Sequence, residues 1–508
     1  MNPDKMMTKK SNVDCRVSPA SNAFDNVENL PDSKDQKYIA KVFFICSVAT
    51  LAQFNMGYNT GVPNNPERVI RDCPTPNNNT GGLPDCLPMS DLIWGFSIGI
   101  FCIGGLLGGL SAGPIADKLG RNRTLFWNNI NFIIGGMFMA CSVNVPMFTI
   151  GRFFVGLGSG AGSVIVPMYI AEVSTTRNRG AMGSMVQMQL AIGIVISQGI
   201  SLGLSSIPWW RLLLGLTIIP AIIQMVLLCY SPETPRYLLT KNRFDEAKES
   251  LQKLRPGCYV ENEYSEMVKS IGGDAHEANS NSPGEGHLLK RIKDVVSHPF
   301  LRKMVLVGLI IHASQTLSSV NGVTLYSTSI MTKTTGLKVA QLITVGIAIL
   351  NFFINCVTCV VIDRTGRRPL LLTSIMLMVI FSATLVIGQK LSISILEICS
   401  VICFSASFNI GLASIPFLII PEMVPTWAAG VVVSMTTSAN WIGNFLVVFL
   451  FPTVMSKIGD NTFILVTALN FLFFVHHFFF VPETKGRDIN DIMSEMDAYN
   501  ASKANISS

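Results

Sequence analysis

Charge is what this 508-residue sequence has least of. Only 14% of its residues are Asp, Glu, Lys or Arg, where a soluble domain carries about 25%. That shortage excludes a water-facing shell, and with 49% apolar residues most of the exterior is expected to face lipid. The formal net charge of +6 is small for this length, and no patch for nucleic acid stands out. No nucleophile–base pair and no metal-ligand set is visible, so neither an enzyme nor a metal site is expected. Glycines at 104–109 and 156–162 imply no phosphate loop, because no strand and no following Lys-Ser/Thr accompany them; no cofactor is expected. Residues 1–37 lack an apolar core, so no cleavable secretory signal is expected and the first apolar run must act as its own insertion signal.

What the chain has in quantity is apolar runs. A spanning helix needs about 20 such residues, and about twelve runs of that kind lie near 39–61, 91–112, 124–143, 147–170, 182–204, 210–230, 303–328, 338–362, 369–389, 394–420, 430–452 and 460–481. The expected fold is an all-α membrane protein with twelve transmembrane helices. Glycines in the second and fourth runs permit close helix contacts.

Positive residues gather on the cytosolic side of a membrane. Arg121, Arg123, Arg177, Arg179, Arg367 and Arg368 fall in loops of one parity. Those loops and both termini are expected in the cytosol. Eight of the twelve cysteines lie in or beside apolar runs and read as small core residues. Cys73 and Cys86 instead share a polar loop with the sequon Asn78-Asn79-Thr80. A glycan and a disulfide both need the external side, where this loop is placed. A glycan on Asn78 is favoured, and the two cysteines are left open between bonded and free.

Landmarks recur at one interval. Asp117 and Asp363 are 246 residues apart; Glu172 and Glu422, Gly180 and Gly430, and Pro232-Glu233-Thr234 and Pro482-Glu483-Thr484 are each 250 apart. An ordered set of this kind indicates two homologous six-helix halves. The expected units are a tail 1–37, a bundle 38–231, a linker 232–302, a second bundle 303–482 and a tail 483–508. Two such bundles face each other about a pseudo-two-fold axis with a polar site between them. Topology alone accounts for the positive sign of the loops. It does not account for acids at matched positions, and these are read as a gate of ion pairs within or across the halves.

Polar residues inside a membrane usually face the bundle interior. Here they are mainly amides: Gln53, Asn55 and Asn59; Gln187 and Gln198; Gln315 and Asn321, with Thr316; Asn351 and Asn355; Asn440 and Asn444. Amides both donate and accept hydrogen bonds, which suits an uncharged ligand rich in hydroxyls. Phe408, Phe417, Trp441 and Phe445 lie near them and would cover apolar faces of a ring. Any one amide taken singly also reads as interhelical glue. Arg152 is the charge inside a run, read as snorkelling or pairing near the outer end. His312 is a candidate pore residue, and His476 and His477 are read as interfacial packing. Segment 240–254 places Phe244, Ala247, Leu251 and Leu254 on one helical face, a cytosolic helix that either latches the halves or merely links them. Residues 270–288 are expected to be flexible.

Several stretches are similar to the sugar porter signatures: Gly120-Arg121, "GRFFVGLGSG" at 151–160, "PETPR" at 232–236, "DRTGRR" at 363–368 and "PETKGR" at 482–487. Over roughly residues 38–490 the chain resembles the facilitative glucose transporters of the major facilitator superfamily. The resemblance implies a hexose as partner and sugar contacts at Gln187, Gln315, Asn321, Asn351, Asn440, Trp441 and Asn444. Thr316 replaces a glutamine of that pattern, Asn409 a glutamate, Phe417 a tryptophan, and His312-Ala313-Ser314 a Gln-Leu-Ser. The gate implied comprises Asp117, Arg121, Arg152, Glu172, Arg179, Glu233, Arg236, Asp363, Arg364, Arg367, Arg368, Glu422 and Glu483. Proton-coupled relatives carry an aspartate where Asn59 stands, so passive uniport by alternating access in a plasma membrane is the expectation. The alternatives are a proton–sugar symporter and a sugar sensor with a transporter fold.

Overall fold

The computed structural model describes residues 33–73, 82–175, 178–256, 259–278 and 293–485. Apolar sequence of this length has no water to satisfy its peptide groups, so it closes its hydrogen bonds within helices. Among the described residues, eleven helices are long and apolar enough to cross a membrane: Ile39–Gly61, Asp91–Leu119, Val145–Val173, Arg179–Leu204, Trp210–Leu228, Pro299–Val323, Leu337–Ile362, Arg367–Leu391, Ser394–Glu422, Ala428–Ile458 and Thr462–Phe480. One further helix, Arg121–Ala140, packs along the neighbouring Val145–Val173 and Ile218–Leu228. Its Asn128, Asn129 and Asn131 lower its hydropathy, but Asn128 Nδ2 donates to Gly158 O at 2.8 Å and Asn129 Nδ2 to Leu125 O at 3.0 Å. Counted in chain order with this helix third, these make up the twelve expected spans, six to each half.

Packing follows the internal repeat. The second span lies against the eleventh, and the fifth against the eighth, the two seams that a two-fold relating residues about 250 apart would generate. Within the first half the second and fourth spans close on glycine. A Cβ at Gly160 would overlap the Gly105 carbonyl, and one at Gly156 the Phe101 carbonyl.

Three runs that read as continuous are broken. The seventh span is Pro299–Leu317 followed by Val320–Thr335, with Ser319 left-handed at φ 65°. The tenth is Ser394–Ile410 followed by Ile415–Glu422. The sixth divides at Leu216-Thr217. Each break frees peptide groups, and neighbours take them up. At the tenth-span break Ser374 Oγ accepts from Leu412 N at 3.2 Å, and Gln315 Nε2 donates to Leu412 O and Ala413 O, both at 3.0 Å.

One face of the bundle carries the bonded pair Cys73–Cys86 and is called the disulfide face. The opposite, glutamate face carries Glu172, Glu233, Glu422 and Glu483. There the helix Phe244–Leu254 buries Ala247, Leu251 and Leu254. It docks on the first half: Ser250 Oγ donates to Glu233 O at 2.5 Å, and the Arg255 guanidinium donates twice to Val173 O at 3.1 Å. Phe244, expected on the buried face, is exposed, because it opens the helix before the docked turn. The helix Glu261–Ala278 runs into the stretch expected to be flexible, whose remainder lies outside the described residues.

Candidate functional site

Between the halves lies a cavity of about 1060 Å³. Gln53, Gln187 and Gln198 line it from the first half. Gln315, Asn321, Asn351, Asn355, Asn409, Asn440 and Asn444 line it from the second, with Phe417 and Trp441 among the apolar residues. No carboxylate lines it among the described residues.

The amides divide into three groups by what they already hold. Gln187 has no protein partner among the described residues and faces the cavity half-buried. In the second half, Asn444 Nδ2 donates to Asn440 Oδ1 at 2.9 Å and Asn440 Nδ2 to Gln315 Oε1 at 2.6 Å, while Asn321 Nδ2 donates to Asn444 Oδ1. On the eighth and tenth spans Asn351 Nδ2 donates to Ser405 Oγ at 2.8 Å and Asn355 Nδ2 to Asn409 Oδ1 at 3.1 Å. Such amides offer both donors and acceptors, which matches hydroxyl groups, and the lack of a described carboxylate gives a cation no counter-charge.

Two sequence readings change here. Thr316 does not line the cavity. It is 1% exposed, its hydroxyl donates back to His312 O and Ala313 O at 3.2 Å, and it faces Gly443 of the eleventh span, where a Cβ would lie 2.6 Å from its Oγ1. His477 is not interfacial either. It is fully buried and bonds Ser314 Oγ through Nε2 at 3.0 Å, because the twelfth span turns that face toward the seventh.

Arg152 lies inside the bundle, beside the cavity. It is 1% exposed, lines the cavity, donates from Nη1 to Asn59 O at 2.9 Å and lies 5.0 Å over the Phe101 ring. It neither snorkels nor meets an acid; a main-chain carbonyl and an aromatic face are its partners. Asn59 is buried, and its amide donates to Asn55 O at 2.9 Å and to Thr217 Oγ1 at 2.6 Å.

On the glutamate face the repeated motifs form the same knot twice. Arg121 pairs with Glu172 at 3.1 Å, and Arg367 with Glu422 at 3.2 Å. Thr234 Oγ1 donates to Glu172 Oε2, as Thr484 Oγ1 does to Glu422 Oε2. Glu233 accepts from Arg121 N at 2.8 Å and Asn122 N at 3.0 Å. Glu483 accepts from Arg367 N and Arg368 N, both at 3.1 Å. Each thus satisfies the open N–H groups at a helix start, which Gly120 and Gly366 reach at φ 100° and 96°. Partial burial pushes the Glu483 carboxyl up, but main-chain donors from Lys485, Arg367, Arg368 and Thr484 outweigh it and hold the group below the usual carboxylate range. Asp117 pairs with Arg121 at 3.2 Å. Arg236 and Arg364 are exposed; the Asp363 side chain and Asn78 lie outside the described residues.

The cavity reaches the glutamate face, where Arg179 and Arg367 line its rim. Toward the disulfide face the seams close it. Gly105 meets Trp441, and Gly99 meets Phe445. Asn65, whose role the sequence did not suggest, joins both halves: Thr328 Oγ1 donates to its Oδ1 at 2.7 Å, and its Nδ2 donates to Ser201 Oγ. The sequence cue for it is slight, an Asn-Asn-Pro directly after the first span.

The family model "Sugar (and other) transporter" matches residues 45–495. The chain belongs to this family of sugar transporters. It is 34% identical over 464 residues to the facilitated glucose transporter member 3 of Oryctolagus cuniculus, covering 89% of this chain and 91% of that one. It is 33% identical to the member 3 protein of Homo sapiens over 469 residues, 90% and 92% of the two chains. The member 1 protein of Gallus gallus is 33% identical over 473 residues, 90% and 93%. Among solved structures, the inward-open xylose transporter XylE from E. coli superposes with a TM-score of 0.72 at 22% identity, over 89% of this family member and 99% of that chain. The partially occluded inward-open form gives 0.70 at 22%, over 88% and 99%. The likeness in fold extends over nearly the whole of the bacterial protein.

Proposed function

We propose that this transporter carries glucose or a closely related hexose across the plasma membrane, down its gradient, by alternating access. The observation that carries the reading is the cavity itself: an amide-lined space at the seam of two matched bundles, without a carboxylate among its described lining residues. Relatives named as facilitated glucose transporters, matched along their length, support the same substrate class. Gln187, Gln315, Asn321, Asn351, Asn409, Asn440 and Asn444 would bind sugar hydroxyls, with Phe417 and Trp441 against the ring. Thr316 would act through packing.

The arginines of the glutamate face favour a cytosolic placement for it, with both termini there and Asn78 outside carrying a glycan. The state described is then inward-facing. The bundles 38–231 and 303–482 rock as units. The outer seams part while the inner rim, with Arg179 and Arg367, closes over the sugar. The Arg121–Glu172 and Arg367–Glu422 knots lie within the halves, so they stiffen each bundle as it moves. Proton coupling needs a titratable acid in the path, and Asn59 beside Arg152 supplies none.

Counterflow of labelled glucose, fructose and galactose in proteoliposomes tests the reading. Accelerated uptake of at least one hexose is expected, with no accumulation when a pH gradient alone is imposed. Uphill uptake driven by that gradient would make the protein a symporter, and absence of any counterflow would favour a sensor.

A further inference from the structure

Gln315 has both ends of its amide engaged, and the consequence runs across the site. Its Nε2 donates to Leu412 O and Ala413 O. Main-chain carbonyls only accept, so the break in the tenth span dictates that Gln315 turns its nitrogen to it and its oxygen away. That oxygen accepts from Asn440 Nδ2 at 2.6 Å. Asn440 must therefore offer Oδ1 on its other side, where Asn444 Nδ2 reaches it at 2.9 Å. Asn444 in turn offers Oδ1, which accepts from Asn321 Nδ2. The order of donors is fixed link by link, from a helix break to the cavity wall. At its far end, Asn321 Oδ1 has no partner among the described residues.

His312 braces this series from behind. It is 1% exposed, with Nδ1 at 3.1 Å from Asn440 Nδ2 and 3.2 Å from Gln315 Oε1. Asn440 Nδ2 carries two hydrogens. One goes to Gln315 Oε1, and the second finds an acceptor at Nδ1 when His312 is neutral and bears its proton on Nε2; in that tautomer Nδ1 bonds Asn440 and only neighbours Gln315 Oε1. The ring is held edge-on to Phe417, with centroids 5.0 Å apart.

We infer that the sugar site has a built-in polarity: the tenth-span break, relayed through Gln315, Asn440 and Asn444 and braced by His312, leaves Asn321 offering an acceptor oxygen to a sugar hydroxyl that donates. The inference rests on the hexose reading above and deepens it. His312 is a positioning residue, since it acts through Asn440 and faces the cavity with no atom of its own.

The test uses the full-length protein in proteoliposomes and a series of monodeoxy and monofluoro analogues of the transported hexose. Fluorine replaces a hydroxyl without being able to donate. At one ring position, deoxy and fluoro analogues should both compete about tenfold more weakly than the parent, the loss of one good hydrogen bond to a buried partner. Recovery of affinity with fluorine at every position would overturn the polarity. His312→Leu leaves a hydrogen of Asn440 without an acceptor and should raise KM for the parent about fivefold, with the maximal rate unchanged. His312→Gln, which keeps an acceptor, should restore it. An unchanged KM in His312→Leu, or an equal loss in both variants, would overturn the brace. Should His312→Leu fail to reach the membrane, the analogue series on the unmodified protein still decides the polarity. Failure of the parent hexose itself to exchange would instead end the transport reading.

Discussion

Trp441 of the eleventh span lies so close to Gly105 of the second that a Cβ on that glycine would fall 2.5 Å from the indole. The contact crosses between the halves and closes the disulfide side of the cavity. It also makes the closed state dependent on the absence of one methyl group. Gly105→Ala should overpack the seam at a cost of about 1–3 kcal/mol, felt only when this side is shut. The transporter should then spend several-fold more time open to the disulfide face. Reactivity of a cysteine introduced beside the cavity, measured with impermeant reagents from each side, reads the shift. Gly99→Ala, with 3.2 Å to Phe445, should show a weaker version.

Asn65 closes the same side by hydrogen bonds. Asn65→Ala would leave Thr328 and Ser201 without this partner in a buried setting, a penalty of about 1–3 kcal/mol on the closed form. Labelling from the disulfide face should rise, and the ratio of influx to efflux half-saturation constants should change. An unaltered ratio would show that the Asn65–Thr328 bond does not take part in gating.

Glu483 is held by four main-chain donors and titrates below its ordinary 4.5. A depressed carboxyl contributes stability above the unfolded value and loses it as pH falls through the folded one. Thermal stability in detergent should therefore keep the Glu483 contribution from neutral pH down to about 4.5 and shed it below. Glu483→Gln should lower the melting temperature at pH 7 and flatten the acid limb of the profile.

The bond between Cys73 and Cys86 spans a sequence separation of 13. A loop of about this size yields roughly 3 kcal/mol when cross-linked. It secures the segment whose Pro84 O and Asp85 O accept from Arg211 Nη2 and Trp210 Nε1. Reduction, or Cys73→Ser with Cys86→Ser, should lower the melting temperature while hexose counterflow persists.

Much of the architecture was open to reading beforehand because lipid imposes it. Long apolar stretches have one way to satisfy their backbones, and Glu172, Glu233, Glu422 and Glu483 carried the two-fold in their spacing. Their partners were not legible. Spacing cannot say that Glu233 and Glu483 bond main-chain N–H groups rather than arginines. Hydropathy averages over the breaks at Ser318-Ser319 and Gly411–Ser414, so the seventh and tenth runs looked whole. In the site, amides inside apolar runs, together with the sugar-porter resemblance, brought out Gln187, Gln315, Asn440 and Asn444. That reading misplaced Thr316, whose orientation depends on Gly443 more than a hundred residues away, and had only a slight cue to Asn65 and none to Thr328, whose pairing exists only once the halves meet.

Around the cavity the two-fold is broken. The seventh and tenth spans are jointed, whereas their counterparts, the first and fourth, run as single helices over Ser33–Gly61 and Val145–Val173. Around the cavity, bending is therefore available to the second bundle, while the joint of the first half lies away from it in the sixth span. As the bundles rock, the unbroken first and fourth spans serve as a keel, and the flexing at the cavity falls to the seventh and tenth. Spectroscopic labels on either side of the joints should report motion during turnover, while the same labels at matched sites on the keel stay silent.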